Sequence, residues 1–463
     1  MFSEYLNSKK SLMKKLINQF NEYDYVSILG NDIKGKTFRV STRQTSVNES
    51  SYERGFVIKL YKGKLYREYS FDNLNEENFD SIVKEIKQLN DINIDYKASD
   101  TKVLNDEPLV SDFNRNREGR SFSDEEVLER LTNAKDLMMS EENIVNAITG
   151  FEDYEVNKYF ISRNRELTQH YSYYFVLAVA VSRNEVNMQD SMKCKDGINP
   201  ELLFMQLNDV AKEASRVAKM LLNAKPVVPG VYDIITSPSI TGLIAHEAFG
   251  HGVEMDMFVK NRALAASYIN KQVASPLVNM HDGAIAGLNI ASYFFDDDGV
   301  LAHDTTIIDK GILLTGISDS LSASVLKTIP TGNGRRESFS HKAYTRMTNT
   351  FFMPGNDKLD DMIKSINHGY ILYDTNNGME DPKNWGIQCT ASYGLEIKDG
   401  KLTGEVIAPV IMSGYVPELL NSISMVSDDF ELCGLGYCGK GHKEWVRVSD
   451  GGPYLKARVK LGW

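Results

Sequence analysis

The sequence has 463 residues, of which 42% are hydrophobic and 25% are charged, and its formal net charge is −11. This length predicts two or three domains, because single hydrophobic cores stop growing well before it. The acidic balance excludes nucleic acid as the main partner, because phosphate contacts need a basic patch.

Cysteine usage and apolar runs bear on location. Four cysteines are too few for a disulfide framework in a chain of this length. The N-terminal residues lack the apolar run of a signal peptide, and the most apolar stretch, 174–181, is too short to span a bilayer. We therefore expect a cytoplasmic protein with no membrane partner.

The first hundred residues alternate between helical and strand patterns. Apolar residues at helical spacing predict an amphipathic helix over 3–21 and another over 76–89. Between them, short strands are predicted at 25–29 and 37–40, followed by a hairpin that turns at Lys62-Gly63-Lys64.

The next segment is first irregular and then strongly patterned. Residues 90–122 are polar and weakly patterned, which predicts a long loop. A capping box at Ser123 then predicts a helix that ends near residue 139. Strands are predicted over 143–192 and a helix over 200–224.

The segment Lys225-Pro226-Val227-Val228-Pro229-Gly230 is the clearest boundary signal in the chain. The second half has many glycine turns and short strands, with hairpin signals at 309–311 and 398–400. These patterns predict an α+β protein with two lobes. Residues 1–225 would form a mixed sheet with helices, and residues 226–463 a β-rich domain that carries the motif helix described next.

Residues His246 to His251 read H-E-A-F-G-H, which places two imidazoles and a carboxylate close together. Neutral imidazole is the commonest protein ligand for zinc-like metals, and a carboxylate beside such a metal can take a proton from its bound water. A helix is predicted to carry this motif, because Ser237-Pro238 is a typical helix start.

The two histidines are one residue further apart than in the H-E-x-x-H helix of zinc proteases. On a regular helix they would lie about 140° apart. Both imidazoles reach one ion only if a π-bulge or a break disturbs the helix. Gly250 and Gly252 flank His251, and glycine tolerates such a departure.

A buried helix with two hydrogen-bonded histidines is the alternative interpretation. The metal interpretation is favoured, because the chain has 8 His in all and two of them bracket a glutamate on an otherwise apolar helix.

A catalytic zinc usually has three protein ligands, so a third ligand is expected. The candidates are Glu254, Cys433, Cys438 and a distant histidine. Glu254 could bind the metal or orient a ligand. Cys438 lies between glycines that predict a tight turn exposing its sulfur, with Lys440 near enough to favour the thiolate. Cys433 and Cys438 could also form a separate metal pair.

Several segments of the second half, in this order and spacing, resemble the TldD/PmbA family, and specifically its TldD-type peptidases. They are His246–Glu254, Thr331–Ser338, Arg346–Thr350, Ile423–Val426 and Gly436–Lys440.

The resemblance implies a zinc metalloprotease that holds one Zn²⁺ per chain through His246, His251 and Cys438, with Glu247 as the general base. It also implies cleavage of unfolded or extended polypeptides, and a homodimer or a heterodimer with a family paralogue. A non-catalytic partner subunit is the alternative, and the intact motif argues against it. A structural-metal scaffold, with Cys433 or Glu254 completing a closed site, is a third hypothesis.

The developing oxyanion needs a further hydrogen-bond donor. The candidates are Arg335, Arg336, His341 and Tyr344, although the two arginines could equally belong to a structural turn. Glycine-rich edges around 377–394 and 410–426 could pair with an extended substrate through main-chain groups.

Overall fold

The computed structural model describes residues 2–63, 65–89, 92–93, 106–442 and 444–462. The fold is α+β, as predicted. Among the helices of these residues, none combines the length and the apolar content that a bilayer crossing requires. The α-helices are α1 Glu4–Ile17, α2 Phe79–Gln88, α3 Asp124–Met139, α4 Pro200–Leu221, α5 Pro238–Leu243, α6 Met255–Val259, α7 Ser320–Leu326, α8 Leu359–Lys364 and α9 Val416–Asn421. Short 3₁₀-helices cover Asn18–Phe20, His251–Val253 and Leu264–Tyr268, and a π-helix covers Ile244–Gly250.

The N-terminal half forms one large sheet. Its strands are β1 Tyr25–Ser41, β2 Thr45–Lys62, β3 Leu65–Phe71, β4 Ile92–Asn93, β5 Leu109–Asn114, β6 Ile144–Ser162, β7 Arg165–Arg183 and β8 Met188–Gly197. Their order is β4-β3-β2-β1-β6-β7-β5, and β8 also pairs with β7. The two predicted short strands are therefore one long strand, β1. The β2–β3 hairpin is confirmed, although Lys64 of its turn lies outside the described residues.

The sheet is covered on both faces, and the alternation of side chains along its strands shows this. Val26 and Ile28 of β1 pack into the cluster that contains the apolar face of α1. Leu29, the residue after Ile28, packs on the opposite face against Phe295 from the C-terminal half. A period of two thus sends successive side chains to helices on one face and to the second half of the chain on the other.

The prediction of a loop over 90–122 is wrong in part. Strand β5 lies within it and pairs in parallel with β7. Its sequence, L-V-S-D-F-N, alternates in burial, but the strand forms because β7 offers an edge, which local propensity does not show. Residues 90, 91 and 94–105 of the predicted loop lie outside the described residues. The capping box at Ser123 is confirmed, with both of its hydrogen bonds formed.

The C-terminal half is β-rich, as predicted. Its strands are β9 Gly230–Thr236, β10 Met280–Asp282, β11 Thr305–Asp309, β12 Ile312–Leu313, β13 Gly334–Arg335, β14 Tyr344–Thr345, β15 Asn349–Phe352, β16 His368–Asp381, β17 Gly386–Lys398, β18 Lys401–Ile407, β19 Val410–Tyr415, β20 Met425–Val426, β21 Glu431–Lys440, β22 Glu444–Gly452 and β23 Leu455–Gly462. The predicted hairpins at 309–311 and 398–400 are present as β11–β12 and β17–β18.

Two sheets of this half enclose the motif helix. One follows the order β12-β11-β10-β15-β22-β21. In the other, β16, β9, β23, β19 and β17 close into a ring, because β16 also pairs with β17. Helix α5 contacts β22 on one side and β16 on the other, and the π-helix contacts β15, β16 and β17. The helix is therefore fixed from two sides.

Buried ion pairs join the two halves. Arg336 Nη1 donates to Glu68 Oε1 at 3.0 Å, and the Arg336 side chain is 1% exposed. Lys158 pairs with Asp297, and Lys59 with Asp298. The division into domains at residue 225 stays a prediction.

The Glu68–Arg336 pair gives a stability prediction. Glu68→Ala leaves a buried guanidinium without its carboxylate and should lower the free energy of unfolding by about 3 kcal/mol. The matched control is Glu76→Ala, because Glu76 pairs with Lys15 on the surface. Its loss should stay within about 1 kcal/mol. Urea denaturation of both variants measures the difference, and equal losses would contradict a buried, uncompensated charge.

Candidate metal centre

The helix that carries the motif changes its winding where the histidine spacing requires it. Helix α5 begins at Pro238, as predicted, although Ser237 makes no side-chain capping bond. The π-helix then covers Ile244–Gly250, and the N–H of His251 donates to the carbonyl of His246, five residues earlier. The wider turn brings the two imidazole rings onto one side of the helix, with 5.1 Å between their centroids.

The two glycines of the motif serve close packing and not an unusual backbone angle. Gly250 has an ordinary helical φ of −59°. A Cβ on it would lie 2.2 Å from Met347 Sδ, and a Cβ on Gly252 would lie 2.7 Å from Glu380 Oε1. The sequence-based explanation of these glycines is therefore corrected: neighbouring side chains need the space beside the wide turn.

His246, His251 and Cys438 come together. One ligand atom from each lies within 4.8 Å of the others, and Cys438 Sγ is 3.7 Å from His251 Nε2. His246 is buried, and its Nδ1 has no hydrogen-bond partner among the described residues. Burial alone would raise the pKa of the Cys438 thiol, but the two imidazoles hold it well below its ordinary value. Two imidazoles and a thiolate form a donor set that suits zinc, so the residues fit the metal.

Cys438 lies in strand β21 and not in a tight turn. It pairs with Val446 of β22 and is 3% exposed, so the prediction of an exposed sulfur is wrong. The guanidinium of Arg346 donates to the main-chain carbonyl of Cys438 and, at 3.2 Å, to that of Glu444. Arg346 thereby fixes the strand at the position of the sulfur.

Glu254 contacts one of the candidate ligands, His251. Its Oε2 lies 3.2 Å from His251 Nδ1, so the imidazole donates to the carboxylate and directs Nε2 toward Cys438. Lys440 contacts Glu254 at 2.9 Å and Asp256 at 2.7 Å. Lys440 was expected to favour the thiolate of Cys438. It instead forms an ion pair with Glu254, which keeps that carboxylate charged.

Two further motifs of the sequence meet at a buried carboxylate, Asp282. Asn333 donates to it from the first motif, and Thr348 and Thr350 donate from the second, at 2.6–2.9 Å. Asn333 also exchanges hydrogen bonds with the main chain of Arg346. These motifs thus support the arginine that holds β21, which the sequence did not reveal.

Glu247 lies beside the candidate ligand His246 on the same helix. Its side chain packs so closely against Gly378 of β16 that a Cβ there would be 2.5 Å from Glu247 Cγ. Burial raises its pKa.

Two carboxylates near the site were not expected from the sequence. Both oxygens of Glu380 are buried without a hydrogen-bond partner among the described residues, and burial raises its pKa to about 9. Asp450 lies against Gly242, one turn before His246, and burial raises its pKa to about 6. Neither follows a recognisable pattern, because only folding brings β16 and β22 to the helix.

No contact among the described residues joins any of the four oxyanion candidates to the three candidate metal ligands. Arg336 belongs to the pair with Glu68. The other three contact different groups: Arg335 donates to the carbonyls of Met347 and Arg447, His341 lies 2.7 Å from Ser338 Oγ, and Tyr344 lines a small cavity with Asp256 and Lys342. An oxyanion role for any of them stays a prediction.

Among the described residues, no contact joins Cys433 to the candidate metal ligands. Its Sγ lies 3.4 Å from Cys194 Sγ, in β8. The hypothesis of a Cys433–Cys438 metal pair therefore has no support from the geometry.

The prediction that glycine-rich edges lie around 377–394 and 410–426 is only partly correct. Strand β17 has β16 on one side and β19 and β18 on the other, and β19 lies between β17 and β23. These strands are interior, so they offer no free edge there. Strand β16 pairs with β9 only over 369–372, and within the described residues its stretch 373–381 has β17 alone as partner. The open edge is thus on the strand that packs against Glu247.

The fold has close counterparts among solved structures. TldE from Thermococcus kodakarensis superimposes with a TM-score of 0.78 over 98% of this chain and 100% of that one, at 18% sequence identity.

Sequence comparison gives the family. A metalloprotease of Methanocaldococcus jannaschii is 28% identical over 408 residues, which cover 88% of this chain and 84% of the relative. A protein of Saccharolobus solfataricus named zinc metalloprotease TldD homolog is 24% identical over 447 residues, 96% of each chain. The family model of the PmbA/TldA metallopeptidase C-terminal domain matches residues 229–460, which include all three candidate ligands and Glu247. This chain therefore belongs to the PmbA/TldD family of metallopeptidases.

Proposed function

We propose that the chain is a zinc-dependent peptidase that hydrolyses peptide bonds in unfolded or extended polypeptides. The observation that carries the proposal is the convergence of His246, His251 and Cys438, with Glu247 on the same wide helical turn. The Saccharolobus solfataricus relative, which is named a zinc metalloprotease, supports zinc as the metal, and the family supports peptide hydrolysis as the reaction. We propose one zinc ion per chain.

The chain's own residues have distinct roles in the proposed reaction. His246, His251 and Cys438 would hold the ion, and Glu254 keeps His251 in the tautomer that leaves Nε2 free. When bound, zinc would acidify water and polarise the scissile carbonyl. The Glu247 carboxylate takes the proton from the attacking water and returns it to the nitrogen of the leaving amine.

The open edge of β16 supports an extended substrate. A chain that adds as a strand is held through main-chain groups, which tolerates many sequences. Tyr373, Asp374 and Thr375 of this edge line a cavity of about 440 Å³, together with the first residues of α5. A polypeptide that runs along the edge from this cavity toward Gly378 would pass Glu247.

The partner and the location of the enzyme are also proposals. We propose a dimer, either with a second copy or with a family paralogue, acting in the cytoplasm. The similarity in fold to TldE makes a paralogue a reasonable partner. A non-catalytic partner subunit is the competing function, and the complete donor set with Glu247 beside it favours the catalytic one.

The first prediction from the proposed function concerns Glu247. Glu247→Gln should lower hydrolysis of an unfolded protein by about 100-fold or more, since the general base is lost. Its zinc content should equal that of the parent, because Glu247 is not a proposed ligand. Cys438→Ser should instead lower the zinc content. If the parent and Glu247→Gln both bind zinc and neither cuts the unfolded protein, even with a family paralogue added, the catalytic proposal fails.

The second prediction tests the position of Glu247 without changing it. A methyl group in Gly378→Ala would displace the Glu247 side chain, and a displacement of this size should lower hydrolysis by up to about 100-fold at unchanged zinc content. Gly386→Ala, in the paired strand of the same hairpin, is the matched control, because a Cβ there meets nothing within 4 Å. Equal rates for the two variants would show that Glu247 is not held in place for the reaction.

The third prediction concerns the substrate. Peptides N-methylated next to the scissile bond lose a main-chain donor, so their cleavage should fall about fivefold for each hydrogen bond lost. Exchanging side chains at the same positions should have smaller effects. Cleavage rates of matched peptides measure this, and the reverse ranking would indicate side-chain pockets in place of strand pairing.

A further inference from the structure

Three consecutive residues of β8 contact the C-terminal half. Lys193 Nζ lies 2.7 Å from both carboxylate oxygens of Asp374, on β16. Lys195 pairs with Glu431, on β21. Between them, the Cys194 sulfur faces that of Cys433. This segment therefore attaches β8 to two strands that flank the candidate metal centre.

The backbone beside the two sulfurs is anchored. Asp196, two residues after Cys194, accepts the N–H of Gly434 at 2.7 Å, and Gly434 directly follows Cys433. Asp196 also accepts the N–H of Ile290 at 2.7 Å and a bond from the Asn289 amide at 3.0 Å. The bond to Gly434 holds β8 and β21 together beside the sulfurs, and the Lys195–Glu431 pair adds a further tie.

We infer that Cys194 and Cys433 form a reversible disulfide site that covalently links the two halves of the molecule. The sulfurs are 3.4 Å apart and a disulfide bond needs about 2.0 Å, so an approach of about 1.4 Å would bring them to bonding distance. Both side chains are half-buried and line the cavity of about 440 Å³, through which a small reagent reaches them. The inference does not require the proposed peptidase activity, although the two cysteines line the same cavity as Tyr373, Asp374 and Thr375 of the proposed substrate path.

The other two cysteines do not compete for this bond in the folded protein. Cys389 is buried in the core of the C-terminal half, and burial raises the pKa of its thiol. Cys438 lies with His246 and His251. Cys194 and Cys433 therefore remain as the pair available to an oxidant.

The oxidant is a low-molecular-weight disulfide of the glutathione type. The hydrogen bond with Cys194 and burial raise the pKa of Cys433, so Cys194 is the attacking thiolate. It loses its proton to water, attacks one sulfur of the small disulfide and releases one small thiolate. Cys433, once deprotonated, then attacks Cys194 Sγ in the mixed disulfide and releases the second. Two protein thiols are oxidised and one small disulfide is reduced to two thiols.

The link has a mechanical consequence. Strand β21 carries Cys433 and, five residues later, Cys438, while β8 belongs to the N-terminal sheet. A covalent bond between these strands closes a loop of most of the second half of the chain. It should restrict separation of the two halves, both in the native protein and during unfolding.

The test uses the zinc-supplemented full chain equilibrated with a series of ratios of oxidised to reduced glutathione. Acid quenching, alkylation and peptide mass mapping identify the bonds formed. We expect loss of two of the four free thiols, a Cys194–Cys433 cross-linked peptide, and full reversal by dithiothreitol. The midpoint ratio should not depend on protein concentration, since the bond is intramolecular.

Variants separate this site from general oxidation. Cys389→Ser should keep the cross-link, whereas Cys433→Ser should abolish it and leave a single glutathione adduct on Cys194. Oxidation should raise the thermal unfolding midpoint of the parent and of Cys389→Ser, but not that of Cys433→Ser. The inference is overturned if the parent gives two separate glutathione adducts, a bond that involves Cys438, or a disulfide-linked dimer. The mapping on the parent does not depend on any variant folding.

Discussion

The candidate metal centre depends on the width of one helical turn. Histidines five residues apart face different directions on an α-helix, and the π-helix at Ile244–Gly250 removes that difference. Such a turn packs less regularly than an α-helix, so its surroundings must stabilise it. Met347 occupies the space beside Gly250, and two sheets hold the helix from opposite sides. The geometry of the two imidazoles is therefore a property of the whole C-terminal half.

The third candidate ligand, Cys438, depends on a different kind of support. Burying the carboxylate of Asp282 is costly unless its lone pairs are used, and here four hydrogen bonds from Asn333, Thr348 and Thr350 use them. That network fixes the main chain of Arg346, which holds the carbonyl of Cys438. The two motifs around Asn333 and Thr348 thus act on the sulfur through the backbone, at a distance from the chemistry.

Much of the site could be predicted because its constraints are local. The spacing of His246 and His251 indicates a disturbed helix without any knowledge of the fold. Cys438 could be selected only through the family resemblance, and its strand conformation was missed because glycines next to a cysteine are equally typical of a turn. Strand β5 was missed because its edge partner is distant in sequence. The neighbours of Glu247, Glu254 and Cys433 depend on tertiary contacts that no local pattern encodes.

The π-helix also defines how this motif relates to the four-residue spacing of other zinc proteases. Geometrically, a π-turn is an α-helix with one extra residue accommodated as a local bulge, so H-E-x-x-x-H holds its imidazoles much as H-E-x-x-H does. The two motifs are nevertheless not interchangeable by deletion. Removing Ala248 would return the histidines to an α-helical spacing, but it would also remove the wide turn that packs against Met347 at Gly250. The extra residue is therefore required by the side chains that pack against the wide turn.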